Sequence, residues 1–119
     1  MSDVIEWVLE MRVNEGQAEN VQPLIEEMAE ATKAAEPGAL HYKYYLSEDG
    51  TACTVLERYA DNAAAMLHLK NFGEKFADRF MTVFAPQRFS VYGPSQEDLR
   101  GALSPMGATF MPFAAGFRR

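Results

Sequence analysis

His68 is the side chain of this 119-residue sequence best suited to acid–base chemistry. An imidazole ordinarily titrates near about 6.5, so it can take up and return a proton at neutral pH. The only other histidine, His41, falls on a strand beside a turn. Glu57, set among apolar neighbours in Val55-Leu56-Glu57-Arg58-Tyr59, is the carboxylate to orient that base, with Tyr44 as another orienting partner. Such a base serves a substrate that becomes reactive on losing a proton. It needs an apolar aromatic slot beside it and a donor that holds the resulting anion. Trp7, Tyr42, Tyr44, Phe72 and Phe76 are candidates for the slot, and Arg58 or a tyrosine hydroxyl for the donor. Each has a plainer role: His68 and Glu57 as a structural pair, Glu57 in an edge ion pair with Arg58 or Arg88, and the aromatic residues as core or subunit packing.

Other chemistries find little material. Cys53 is the sole cysteine, so one chain can build neither a disulfide nor a thiolate-rich metal site, and a small buried hydrophobe is its expected role. No paired-histidine spacing, glycine-rich phosphate loop or dinucleotide fingerprint occurs, so zinc, ATP, NAD and flavin are not expected. Seventeen acidic residues against 11 basic ones give a net charge of -6, which repels nucleic acid and anionic lipid. The start, Met1-Ser2-Asp3-Val4-Ile5-Glu6, is acidic and alternating, and no apolar run approaches a membrane span. A cytoplasmic location is expected.

The elements that hold these residues follow from periodicity. Ile5, Trp7, Leu9, Met11 and Val13 alternate with other residues as a strand with one buried face. Val21, Leu24, Ile25, Met28 and Thr32 then recur at helical spacing; Asn20 as cap would leave Pro23 in the first turn. Pro37-Gly38 stops that helix. Leu40, Tyr42, Tyr44 and Leu46 alternate as a second strand, Asp49-Gly50 turns it, and Thr51–Tyr59 returns as a third. Asp61 caps a helix with Ala64, Leu67, His68 and Asn71 on one face. After Gly73 a helical piece from Glu74 to Phe80 precedes a fourth strand, Thr82–Tyr92, in which Pro86 implies a bulge or an edge position. Ser95 is the expected cap of a short helix through Leu99. Gly101–Arg119 is too apolar for a solvated linker and too broken for a long helix, so it needs a surface to cover.

The order β-α-β-β-α-β describes a ferredoxin-like α+β domain with helices on one face of an antiparallel sheet. Residues 1–93 form that domain, and 94–119 add a helix and an apolar tail packed on it or on a partner subunit. Both sheet faces carry apolar residues: Val4 and Val8 opposite Trp7 and Leu9, Tyr45 opposite Tyr44, and Phe84 and Tyr92 opposite Phe89 and Val91. Two-sided apolarity in a small acidic protein predicts a homodimer.

The Glu36-Pro37-Gly38-Ala39-Leu40-His41-Tyr42 turn and strand, the Val55-Leu56-Glu57-Arg58-Tyr59 strand, Asp61 and the helical His68 together resemble the antibiotic biosynthesis monooxygenase superfamily. Tyr59 stands where that pattern usually has tryptophan, and the resemblance covers residues 3 to about 92. It implies a dimeric α+β barrel with a pocket between helices and sheet. Heme-degrading members carry an asparagine, a tryptophan and an iron-ligating histidine where this chain has Leu9, His68 and Asp78, so the resemblance does not extend to them. It points instead to a cofactor-independent oxygenase of a small aromatic, quinol- or polyketide-like substrate. A non-catalytic binding or stress-associated protein and an isomerase or lyase are the alternatives.

Overall fold

The structure, a computed structural model, describes residues 2–119. Its strands are β1 (Ile5–Val13), β2 (Ala39–Leu46), β3 (Ala52–Tyr59), β4 (Phe84–Tyr92) and β5 (Ala108–Met111). The helices are α1 (Ala18–Ala35), α2 (Asn62–Lys75), α3 (Ala77–Val83) and α4 (Glu97–Leu103), with one 3-10 turn at Ser104–Met106. One sheet runs in the order β2-β3-β1-β4-β5. The first four strands pair antiparallel, as the ferredoxin-like pattern requires, and β5 joins β4 in parallel.

The period-2 pattern of β1 sorts its residues as expected: Ile5, Trp7, Leu9 and Met11 are buried, while the residues between them face away from the core. Cys53, Val55, Glu57 and Tyr59 of β3 face the same way. The stripe Val21, Leu24, Ile25, Met28 and Thr32 of α1 closes over them. Asp61 caps α2, accepting the Ala64 N–H at 2.8 Å. At the hairpin, Gly50 takes φ +75, and the Asp49 carboxylate accepts the Thr51 N–H and hydroxyl at 3.0 and 2.7 Å.

Several expectations are corrected. Helix α1 starts at Ala18, before Asn20, so Pro23 lies inside it, one amide short. On α2, Leu67 is exposed, and the helix runs on through Gly73 to Lys75. The interruption comes at Phe76, whose φ of -129 ends α2 and precedes α3. The pairing of β1 with β4 shifts between Glu10 and Met11, which is the bulge Pro86 implied. The shift reverses the alternation, so Phe84 is buried on the same side as Phe89 and Val91. Ser95 does not cap α4. The Asn62 side chain does so from α2, accepting the Gln96 N–H at 2.8 Å and donating to Asp98 at 2.9 Å.

The C-terminal stretch adds a parallel strand that was not expected. Leu99 and Leu103 are fully buried, β5 pairs Ala108–Met111 with Phe89–Tyr92, and Phe110 lies 5.0 Å beneath the Arg100 guanidinium. Beyond Met111 the chain is exposed, including Phe113 and Phe117, and neither lines the His68 cavity.

Gly38 illustrates how closely α2 sits on the β2 entry. Its φ is not positive, so it is not a left-handed helix cap; instead an added Cβ would lie 2.7 Å from the Ala64 Cβ. Gly38→Ala should therefore destabilise the fold by about 1–3 kcal/mol in urea unfolding. Combining it with Ala64→Gly, which empties the contested space, should cost less than the sum of the two single changes.

Candidate functional site

Three chain segments meet at His68. Its Nδ1 lies 2.9 Å from Glu36 Oε1, at the end of α1, and its Nε2 lies 3.3 Å from Glu57 Oε1, on β3. All three residues are at least 93% buried, Glu57 being the most exposed at 7%. Charges this deep require partners. The Asn71 amide donates to Glu36 Oε2 at 3.2 Å, and the Tyr59 hydroxyl donates to Glu57 Oε1 at 2.5 Å. Among the described residues no buried side-chain polar atom is left without a partner.

The two carboxylates are driven in opposite directions. Burial by itself would raise Glu36, but hydrogen bonding and charge from His68, with smaller help from Asn71 and Lys75, hold its carboxyl below the usual value. Burial dominates at Glu57 and pushes it up. The charge of His68 and hydrogen bonds from Tyr59 and Trp7 oppose that rise without cancelling it. An imidazole thus stands between a carboxylate kept ionised and a carboxyl with raised proton affinity, an arrangement that can pass a proton along the line.

The aromatic residues close around this line. Ring centroids of Tyr59, Tyr42, Phe72 and Trp7 lie 5.1, 5.2, 6.2 and 6.4 Å from the imidazole. Burial raises the Tyr42 and Tyr44 hydroxyls well above the ordinary phenol range, so both stay protonated as donors, 2.7 Å from each other. The site opens only into a cavity of about 10 Å³, walled by Thr32, Glu36, Tyr42, His68, Phe72 and Phe76 among others, which has room for about one water. A larger ligand therefore has to widen the seam between α1 and α2. A separate groove of about 300 Å³ between the start of α1 and α3 contains none of these residues.

Of the residues singled out in the sequence, His68, Glu57, Trp7, Tyr42, Tyr44, Phe72 and Phe76 come together here. Arg58 does not. It projects to the opposite face of the sheet and binds Glu6 at 2.6 Å, so it cannot donate to an anion beside His68. Tyr44 orients Tyr42 and reaches Met28 Sδ at 3.7 Å, leaving the imidazole to Glu36. Nor is Glu57 an edge partner of Arg58 or Arg88, since it points to the helix side. Cys53 is a buried hydrophobe whose thiol burial raises to about 11.

Sequence reasoning missed Glu36 as a site residue. One signal was available: a carboxylate at a helix C-terminus opposes the macrodipole, so it needs another reason to be there. Asn71 and Tyr59 were legible only as a helix-face and a strand residue.

The fold and the carboxylate–imidazole–carboxylate line define a small α+β protein with an acid–base centre under its helices. A family model for antibiotic biosynthesis monooxygenase matches residues 5–80, and the chain belongs to that family. Among proteins of curated function the sequence finds no match. Of solved structures, MupZ from Pseudomonas fluorescens is 26% identical with a TM-score of 0.86, covering 99% of this chain and 96% of that one. SnoaB, a cofactor-independent oxygenase from Streptomyces nogalater, is 16% identical with a TM-score of 0.66, covering 80% of this chain and 96% of that one. PA3566 from Pseudomonas aeruginosa is 19% identical with a TM-score of 0.61, covering 76% and 91%. The latter two similarities establish the fold alone. The MupZ match extends over the C-terminal elements as well.

The opposed carboxylates make a prediction about stability. Because the folded-state proton affinity of Glu57 is raised, its contribution is fully present below the ordinary glutamate pKa and is lost as pH rises through the folded value. Glu36 contributes in the opposite sense, above the ordinary value, and that contribution is lost as pH falls. Glu57→Gln keeps an acceptor for Tyr59 without a titrating carboxyl. Its urea midpoint relative to the unaltered protein should therefore rise as pH increases from 4 upward. Glu36→Ala leaves His68 Nδ1 and Asn71 without their partner and should cost about 3–5 kcal/mol at neutral pH, measured by the same unfolding.

Proposed function

We propose that the chain is a cofactor-independent monooxygenase of a small aromatic, quinol- or anthrone-like substrate. The observation that carries this reading is His68 held between two carboxylates of opposed proton affinity, at the wall of an aromatic cavity. Family membership and the description of SnoaB as a cofactor-independent oxygenase support it.

In this scheme the arriving substrate displaces Glu36 from Nδ1, His68 takes up at that nitrogen the proton that activates the reacting carbon, carried on the carbon of an anthrone or the hydroxyl of a quinol, and the Nε2 proton passes to Glu57. The Tyr42 hydroxyl and the Asn71 amide take the donor role intended for Arg58, facing the oxygen on which the negative charge develops. The substrate anion passes one electron to molecular oxygen, and the two radicals join as a peroxide at that carbon. Loss of water from the peroxide leaves a carbonyl. One oxygen atom thus enters the product and the other leaves as water, with all electrons supplied by the substrate.

The purified protein should consume oxygen above background with a panel of hydroquinones and anthrones. His68→Ala should slow that uptake by about 10²–10⁴-fold. Absence of uptake together with a silent His68→Ala would end the oxygenase reading and favour a non-catalytic small-molecule binder. The Glu57–His68 acid–base pair equally suits an isomerase or lyase. Product mass separates that case, being unchanged where the oxygenase adds an oxygen atom.

We also propose a homodimer through the sheet face that the helices leave open. That face holds half-buried Val8 and Leu56 at its centre and exposed Tyr45, Tyr92 and Met111 around them. Light scattering at micromolar protein should give about twice the 13.3 kDa chain mass; a monomeric mass rejects the dimer.

A further inference from the structure

A cation stands at the rim of the His68 cavity. His68, Asn71, Phe72 and Lys75 fall at i, i+3, i+4 and i+7 of α2, and all four line that cavity. Seven residues of helix rise about 10 Å, so the stripe runs from a buried imidazole at one end to an exposed ammonium at the other. Phe72 lies between them. The neighbouring Lys70 is 3.8 Å from Glu74, whereas Lys75 has no ion-pair partner among the described residues. Glu36, which lines the same cavity and feels the charge of Lys75, is already engaged by His68 and Asn71.

A chain of net charge -6 repels acidic ligands in general. An unpaired ammonium at the mouth of an otherwise aromatic cavity is the feature that would let one in. We propose that Lys75 is a specificity-determining residue and that the substrate carries a carboxylate. The aromatic body lies along Phe72 with its acidic hydrogen toward His68, and the carboxylate meets Lys75 Nζ at the rim. This rests on the reading of His68 as the base, but binding tests it apart from turnover.

The experiment is calorimetric titration, in oxygen-free buffer, of a dihydroxynaphthoic acid and its primary amide. The unaltered protein should bind the acid about tenfold more tightly than the amide, the scale of one charge-assisted hydrogen bond. Lys75→Met should reduce the acid's affinity to that of the amide and leave the amide's affinity unchanged, while Lys75→Arg should keep the preference. Lys75 is exposed, so these variants should melt as the unaltered protein does. Equal binding of acid and amide, a preference that survives in Lys75→Met, or no binding of either probe overturns the proposal. A Lys75-dependent preference without oxygen uptake would remove the oxygenase reading and leave the anion-selecting role standing. Equal oxygen uptake from neutral and acidic hydroquinones would do the reverse.

Discussion

The buried line Glu36–His68–Glu57 is the constraint around which the rest of the molecule is arranged. Its members come from the end of one helix, the middle of another and a central strand, so forming it fixes α1, α2 and β3 relative to one another. A buried pair of this kind costs desolvation, and removing one member leaves a charge stranded. The surrounding design reads as a response to that cost. Asn71 binds the outer oxygen of Glu36, Tyr59 shares Glu57 Oε1 with the imidazole, and Gly38 lets α2 approach closely enough for the imidazole to reach both carboxylates.

The same line links stability to chemistry. A proton relay needs neighbouring groups with separated affinities, and here the separation comes from surroundings rather than residue type, since both flanking residues are glutamates. Glu36 has His68, an amide and a nearby lysine in its favour; Glu57 is enclosed by Trp7 and Tyr59, with burial outweighing its hydrogen bonds. The aromatic shell that raises Glu57 also restricts the cavity to about one water. A ligand larger than water therefore has to part α1 from α2, and the Phe76 break between α2 and α3 lies beside that seam.

Features that depend on local chemistry were legible in the sequence. The Val21–Thr32 stripe, the Asp61 cap, the Asp49-Gly50 turn and the alternation of β1 each express a rule acting within a few residues, and each stands where it was read. Features decided by distant partners were not. Nothing near Ser95 shows that Asn62 will cap α4, and four residues between a glycine and a proline give little sign of a strand until β4 offers an edge. Arg58 shares its stretch with Glu57, yet strand alternation sends it to Glu6 on the other face. Phe84 was misplaced because a single shifted register reverses the sides of everything beyond it.

The central position of β1 has a consequence for how the chain is made. Strand β1 leaves the ribosome before both strands that flank it in the finished sheet, β3 and β4, so its second edge stays unpaired until residue 92 has been synthesised. Throughout that interval Ile5, Trp7, Leu9 and Met11 form an apolar strand available to any neighbouring chain. Glu6, Glu10 and Arg12, interleaved among them, charge the strand while it waits and guard the nascent protein against self-association.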